Sequence, residues 1–398
     1  MKKINYKKLR AQYDRLGGEE SCRLLTEAID GGDIDINAFS IKECAMEMIG
    51  RPAVEAMDPR NSSSILEAGD GVDVTAFSNI TGQLLISKLM ESYTQEAFVL
   101  SGIVPNIPTR LDGEKIPGIS KTTDNVQGVQ SGMPYPSMGF GEDYVETPST
   151  TKRGFIIPVT KEAIFFDRTN LILQRAAEVG EVLGINKEKR LLDLLIGATN
   201  NYKWKGTTYD TYSTTGTGAA TGDAGGASLT NVINSLTNTL TDWTDVDEVE
   251  QLFANILDPN TGEPVLVSGN QILVCPAYRH AMNRIINATE IRYTASSAAP
   301  ETISSNPLNG YSGHVSRLMY RRLIANSIAA GDAAKYWFVG DFAKAFAYME
   351  NWPIQVVQSP ANSEAEFTQD ILVRYKASER GAAAVMNPRY VVKSTGAS

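Results

Sequence analysis

Between Asp112 and Thr151 the chain carries glycines at 113, 118, 128, 132, 139 and 141 and prolines at 117, 134, 136 and 148. Large apolar side chains are few and dispersed there. The stretch runs straight into an apolar strand pattern, Gly154-Phe-Ile-Ile-Pro-Val-Thr160, and then into the longest helix pattern of the chain, Thr169 to about Thr199. Ordering such a stretch costs about 1–2 kcal/mol of backbone entropy per residue. So little apolar area does not offset that cost locally. The stretch is therefore either a flexible surface loop or a segment ordered against something else. Its place, immediately ahead of a strand and a long rod, favours an arm lying on a neighbouring copy. Two extended arms rising about 3.3 Å per residue reach roughly 60 Å.

The remaining bulk properties narrow the class. At 398 residues the chain exceeds the range of a single hydrophobic core, so two or three sub-domains are expected. Its formal net charge of −9 argues against a surface built to read nucleic acid. Beyond the basic start of the chain, Lys/Arg runs are short, as at Lys187-Glu-Lys-Arg190 and Tyr320-Arg-Arg322. No apolar run has the length of a membrane span. The basic start, Met1-Lys-Lys-Ile-Asn-Tyr-Lys-Lys8, has no apolar region behind it, so a secretory signal is not expected. Three scattered cysteines, Cys22, Cys44 and Cys275, fit a reducing compartment better than a disulfide framework.

Along the chain, residues 1–60 read as charged helices. Ser40 stands as an N-cap with Glu43 at the capping-box position, and Gly50 and Pro52 close that helix. The segment 58–64 is a linker by composition, and a further helix pattern lies between Ser78 and Leu100. In the long helix, Ile172, Ala176, Val179 and Leu183 form one apolar stripe, and Lys189 and Asp193 stand at ion-pair spacing. Gly180 and Gly184 mark close backbone approach. Residues 200–228 read as a loop, and 229–243 and 246–257 as two helices. Gln271–Pro276 reads as a buried strand with a helix from Tyr278 to Ala288 behind it. Residues 296–312 read as another loop. Five strands follow: Tyr336–Val339, Ala343–Met349, Ile354–Gln358, Phe367–Tyr375 and Ala382–Met386.

The chain offers no catalytic, cofactor-binding or metal-binding constellation. Its two histidines, His280 and His314, stand apart and read as structural, and Cys275 reads as a small buried hydrophobe. Cys and His show no zinc spacing. In Gly216-Thr-Gly-Ala-Ala-Thr-Gly222 the third glycine falls one residue late for a dinucleotide fingerprint, and no strand precedes it. Asp33-Ile-Asp-Ile-Asn37 opens like a calcium loop but has Ala38 and Cys44 where Gly and Glu are needed. An enzyme is not expected.

The C-terminal strands carry a resemblance. Trp337-Phe-Val-Gly-Asp-Phe342, Ala345-Phe-Ala-Tyr-Met349 and Trp352-Pro-Ile-Gln-Val-Val357 resemble the closing strands of tailed-phage major capsid proteins. So do Phe367-Thr-Gln-Asp-Ile-Leu-Val-Arg-Tyr375, the turn Glu379-Arg-Gly381 and Val385-Met-Asn-Pro388. Their order, lining up from about Ala76 to Lys393, carries the likeness more than any one motif.

The resemblance implies an α+β chain with the Hong Kong 97 capsid fold. Residues 1–68 would be an N-terminal helical extension, 69–111 an N-terminal arm and 112–153 an extended β-hairpin loop. Residues 154–228 would form the peripheral domain with its spine helix, 229–334 the axial domain, and 335–398 the returning strands. It implies a shell of hexamers and pentamers, matured from a procapsid, that encloses double-stranded DNA without sequence-specific binding. Portal and possible scaffolding or decoration proteins would be partners, with no membrane and no cofactor. Assembly would take place in the bacterial host cytoplasm and the product would be the virion capsid. Lys115, Lys121, Tyr135, Phe140, Asn306 and Tyr311 are the expected subunit-contact residues. In some members a protease removes a scaffolding segment at the position of residues 1–68, and whether that happens here stays open. No motif carries the family's lysine cross-link onto Lys115 or Lys121. The alternative is an encapsulin-like shell with a protein cargo, and more remotely an enzyme with an unfamiliar site.

Overall fold

The computed structural model describes residues 6–31, 34, 39–51, 71–95, 97–119, 129–133, 142–215, 229, 232–258, 263–293, 302–359 and 369–396. Helices and sheets are both prominent, as an α+β chain requires. The chain divides into two compact units. Residues 1–95, 152–186 and 352–380 form the first, and residues 96–151, 187–351 and 381–398 the second.

The first unit is built on helices. Tyr6–Leu16, Gly18–Asp30 and Ile41–Met48 pack with the long helix Gly71–Tyr93. Ser40 caps the third of them, its Oγ accepting from Glu43 N at 3.2 Å. The core joins Leu9, Leu25, Ile41 and Met48 from these helices to Phe77, Leu84 and Leu89. Ile172, Ala176 and Leu183 of the helix Thr169–Leu195 enter the same core, as their stripe requires. The strand Thr151–Thr160 supplies Ile157 and Val159, and the strand Ile371–Val385 supplies Leu372, Val373 and Tyr375. Gly180 is a true close approach: a Cβ there would stand 2.3 Å from the Leu89 carbonyl oxygen.

The second unit holds a five-stranded sheet, ordered Ser312–Val315, Gln271–Val274, Trp337–Gly340, Val391–Ser394 and Ser235–Leu236. The central three strands are almost completely buried: Ile272, Leu273, Val274, Trp337, Phe338, Val339, Val391 and Val392 form the middle of its core. Strands from the 229–334 and 335–398 stretches thus share one sheet. A second sheet, of four strands, orders Lys115–Ile119, Glu142–Glu146, Tyr202–Trp204 and Thr207–Tyr209.

Several sequence expectations are corrected. Residues 229–243 do not form a helix: the described part is extended, with a short strand at Ser235–Leu236, and helix starts only at Trp243. The cause is Asn234, fully buried, whose amide bonds four backbone groups and competes with a helical ladder. Residues 200–228 are not loop throughout, since they contain the strands Tyr202–Trp204 and Thr207–Tyr209. The Ala343–Met349 strand begins only at Phe346. Asp341 accepts from Lys344 N and turns Phe342–Ala345 into a short helix.

The expected Arg380-Gly381 turn lies inside one continuous strand, Ile371–Val385. Glycine is required there for packing rather than for turning. A Cβ on Gly381 would stand 2.7 Å from both the Met349 carbonyl oxygen and the Tyr348 ring. The Lys189–Asp193 spacing is also not what holds Asp193. Its carboxylate pairs with Arg322.

Candidate assembly surface

The extended segment 112–153 has a folded stem. Lys115–Ile119 and Glu142–Glu146 pair antiparallel over five positions, from Lys115 opposite Glu146 to Ile119 opposite Glu142. Below the ladder, Glu114 N donates to Thr147 Oγ1, Thr147 N donates to Glu114 O, and Thr150 N donates to Asp112 Oδ1. The stem does not stand alone, because Val145 and Glu146 pair with Trp204 and Lys203. The sequence expectation that the whole stretch finds its contacts on another copy is therefore corrected for its two ends. The strand Tyr202–Trp204, hidden in a Gly/Thr-rich stretch, supplies the missing burial from the same chain. Trp204 and Tyr202 are buried there.

Lys115 is exposed on this stem. Its Nζ lies 3.2 Å from Glu146 Oε1 and 4.7 Å from the centre of the Tyr144 ring. Lys203 holds the other oxygen of Glu146. The hydrogen bond from Lys203, helped by Lys115, keeps the Glu146 carboxyl below its ordinary range. The stem thus carries a Lys-Glu-Lys row across three strands. Lys121, Tyr135 and Phe140 lie outside the described residues. Of the residues between the arms, 129–133 form a turn closed by Met133 N donating to Gln130 O, with the Met133 side chain 64% exposed.

Asn306 and Tyr311 come together on one short segment. Asn306 is buried, and its Nδ2 donates to the carbonyl oxygens of Ile285 and Ile286 at 2.7 and 3.2 Å. Its Oδ1 caps the 3-10 turn Pro307–Gly310 by accepting from Leu308 N. The Asn306 side chain therefore braces its own unit and sets the position of Tyr311 just beyond the turn. The Tyr311 hydroxyl donates to Glu250 Oε1. Burial, with that carboxylate second, raises the phenol well above its ordinary value.

Other polar groups serve as braces. Glu188 is fully buried, and its two oxygens accept from Leu100 N and Ser101 N at 2.9 and 2.7 Å. Burial pushes the Cys44 and Cys275 thiols up to about 12, which makes them inert hydrophobes at neutral pH. Half-burial lowers His314, and His280 is exposed on its helix.

A cleft of about 500 Å³ in the first unit is lined by Tyr13, Cys22, Asn79, Gln83, Gln358 and Tyr375 among others, with no carboxylate or histidine among the described residues of its wall. Its polar groups bond one another. Asn79 Nδ2 donates to the Tyr13 hydroxyl and Gln358 Nε2 donates to Asn79 Oδ1. Among the described residues, no group of three or more His, Cys, Asp or Glu could hold a metal, and no helix is long and apolar enough to cross a membrane.

Comparison with known proteins places this arrangement. A profile of phage capsid proteins matches residues 144–394, well over half the chain. The protein is a structural subunit of a capsid shell, not an enzyme. It belongs to the phage capsid protein family, and its place is the virion capsid.

Among solved structures it is similar to the capsid of the native GTA particle, at 12% identity and a TM-score of 0.45 over 77% of this chain and 92% of that one. It is similar to a solved structure of Mycobacterium phage Bobi at 12% identity and a TM-score of 0.43, over 74% of this chain and 89% of the other. A virus-like particle from Pyrococcus furiosus is similar at 12% identity and a TM-score of 0.40, over 78% and 97%. No curated protein sequence matches the chain.

Proposed function

We propose that this chain is the major capsid protein of a tailed phage, with the Hong Kong 97 fold, and that it closes an icosahedral shell of hexamers and pentamers around double-stranded DNA. The match of residues 144–394 to the phage capsid family is the observation that carries the reading. The stem geometry supports it. A hairpin anchored by its own sheet at the base, with exposed Lys115 on its flank and exposed Met133 between its arms, is suited to reach a neighbour while its root stays fixed. Ordering of the residues between the arms and assembly would then be one event.

Subunit contacts in this reading involve Lys115 and Tyr311, with Lys121, Tyr135 and Phe140 on the part of the loop that reaches across. Asn306 acts from behind, by holding the turn that presents Tyr311. Portal, scaffolding and decoration proteins are the further partners of such a shell, and the host cytoplasm is where it is built.

The test is expression of the full chain, followed by sedimentation and negative-stain microscopy. Closed particles of uniform diameter are expected. Deleting residues 126–140 should leave a soluble, folded subunit that forms no closed particle. Normal particles from that deletion would remove the loop from the assembly, and a wild-type chain that stays monomeric at high concentration would end the capsid reading. Particles that take up a protein cargo and never DNA would point to a nanocompartment instead.

A further inference from the structure

We propose that the outward face of the first helix, Tyr6–Leu16, is a contact surface for the phosphate backbone of the enclosed DNA. This rests on the capsid reading above and deepens it by naming which surface of the subunit looks inward.

Charge segregation is the first observation. The chain as a whole carries −9, yet its first sixteen residues hold six Lys/Arg, at 2, 3, 7, 8, 10 and 15, against the single carboxylate of Asp14. Presentation is the second. At 100° per residue, Lys7, Lys8, Ala11 and Arg15 fall on one side of the helix, with Asp14 at its margin, and all five are exposed. Leu9, on the opposite side, is buried in the core of the first unit, and Tyr6 and Tyr13 pack against that core.

The helix is fixed in this attitude. The Tyr6 hydroxyl accepts from Ser40 N at 2.8 Å, Asn79 Nδ2 donates to the Tyr13 hydroxyl at 2.8 Å, and Arg10 Nη1 donates to the Glu47 carbonyl oxygen. Among the described residues no ion pair reaches Lys7 or Arg15. By contrast, Arg23 on the next helix pairs with Glu20, and Lys88 pairs with Glu91.

A rigid, small-centred basic face suits a regular polyanion. It has no aromatic platform for stacking bases and is made chiefly of point-charge lysines, so it would contact backbone and not sequence. Each copy would supply only a few contacts, but a closed shell presents many copies at once to one long polymer, and weak contacts add through effective concentration. The overall negative charge is then no obstacle, because the first sixteen residues carry a local positive excess.

Footprinting of intact particles tests this without a substitution. Filled and empty particles of the full chain are treated with a small amine-acetylating reagent and read by peptide mass spectrometry. Lys7 and Lys8 should be several-fold less modified in filled than in empty particles, while exposed Lys205 should be modified equally in both. Equal modification of Lys7 and Lys8 in filled and empty particles would overturn the proposal and leave the capsid reading intact. Protection already complete before DNA enters would assign the face to an acidic protein partner and also overturn it. Particles that never contain DNA would remove the capsid reading and this proposal together.

A second measurement uses the unassembled full chain and a 20-base-pair duplex of random sequence. Three phosphate contacts predict that affinity falls roughly 40-fold between 50 and 200 mM salt. A K7E/R15E variant should lose most of that salt dependence. An unchanged slope in a variant that keeps its helical content would overturn the proposal.

Discussion

Asp193 and Arg322 meet through two parallel hydrogen bonds, Arg322 Nε to Asp193 Oδ1 at 2.8 Å and Arg322 Nη2 to Asp193 Oδ2 at 2.7 Å. The pair is mostly shielded, with side-chain exposures of 26% and 18%, and it ties the helix Arg317–Ala325 to the end of the long helix. A lysine cannot reproduce a planar two-bond fork. Arg322→Lys should therefore cost about 1–2 kcal/mol and Asp193→Ala somewhat more, since the latter leaves a half-buried guanidinium without its carboxylate. Urea unfolding followed by near-ultraviolet circular dichroism would read both. Equal midpoints for wild type and Arg322→Lys would show that the fork geometry contributes nothing.

Asn234 makes a larger prediction from a less conspicuous residue. Its Oδ1 accepts from Ser213 N at 2.8 Å, and its Nδ2 lies 2.9, 3.0 and 3.2 Å from the carbonyl oxygens of Thr211, Pro388 and Val391. Backbone Asn234 O also accepts from Lys393 N, at the edge where Ser235 joins the last strand. Asn234→Leu keeps a γ-branched side chain but leaves these backbone groups dry and unbonded. A loss of at least about 2 kcal/mol is expected, at 1–3 kcal/mol per unsatisfied group. Asn234→Asp should be less damaging at the Ser213 side and worse at the three carbonyls.

Residues like Asn234 explain which parts of the fold could be read in advance. The long helix was legible because Ile172, Ala176 and Leu183 repeat at helical spacing, and all three are buried. The central strand at Gln271–Val274 was legible as a short apolar run, and Ser40 as a cap. A side chain that overrides its local sequence from a distance leaves no periodic trace. Asn234 turned a helix-like stretch into extended chain, and Met349 and Tyr348 explain why Gly381 sits mid-strand. The same limit applied to the stem of the extended segment. Lys115 stands on that stem, but the strand Tyr202–Trp204 that anchors it was masked by polar, low-complexity neighbours.

Gly180 separates a packing role from a flexibility role. With the Leu89 carbonyl oxygen 2.3 Å and Ser92 Cβ 3.2 Å from its missing Cβ, Gly180→Ala cannot be accommodated unless the helix Gly71–Tyr93 moves away. Alanine has the higher helix propensity by about 1 kcal/mol, so a net loss of stability can only come from the clash. Overpacking of this kind costs about 1–3 kcal/mol. A lowered melting temperature and faster amide exchange in 80–93 are expected for Gly180→Ala. A raised melting temperature would show that the two helices are free to separate.

His314 gives the protein a pH dependence in the mildly acidic range. It is half-buried on the strand Ser312–Val315, and burial holds its pKa below the ordinary 6.5. The unfolded chain therefore takes up the proton first as pH falls. This group has no effect on stability well above pH 6.5, and stability declines as pH drops below 6.5 until the folded form also protonates. The slope for one proton is at most about 1.4 kcal/mol per pH unit. Glu146 acts separately: its folded pKa is depressed, so its contribution persists above the ordinary 4.5 and disappears only in stronger acid. Stability measured from pH 7.5 to 5 should fall in wild type and fall less in His314→Gln. Parallel curves for the two proteins would remove His314 from the account.

The N-terminal helices make the last prediction, because the core of the first unit is incomplete without them. Leu9, Leu25, Phe39, Ile41, Cys44 and Met48 are each under 10% exposed and share one cluster with Phe77, Leu85, Ile164 and Leu173. Polar ties reinforce the apolar ones. Ile41 N donates to Thr169 Oγ1 at 2.9 Å, Ser40 Oγ lies 3.1 Å from both Asp167 carboxylate oxygens, and Gln83 Nε2 donates to Thr26 Oγ1. Each large apolar side chain contributes about 1.5–3 kcal/mol on burial, so the gross burial lost with residues 1–50 is comparable to the whole net stability of a typical domain. The truncated chain should be insoluble or should bind a hydrophobic dye strongly. Mass spectrometry of assembled particles should find residues 6–50 present, either in the intact chain or as a fragment that stays bound through unfolding-free purification. A soluble truncated chain with an unchanged melting temperature, or mature particles lacking these residues altogether, would show that the layer is a removable appendage.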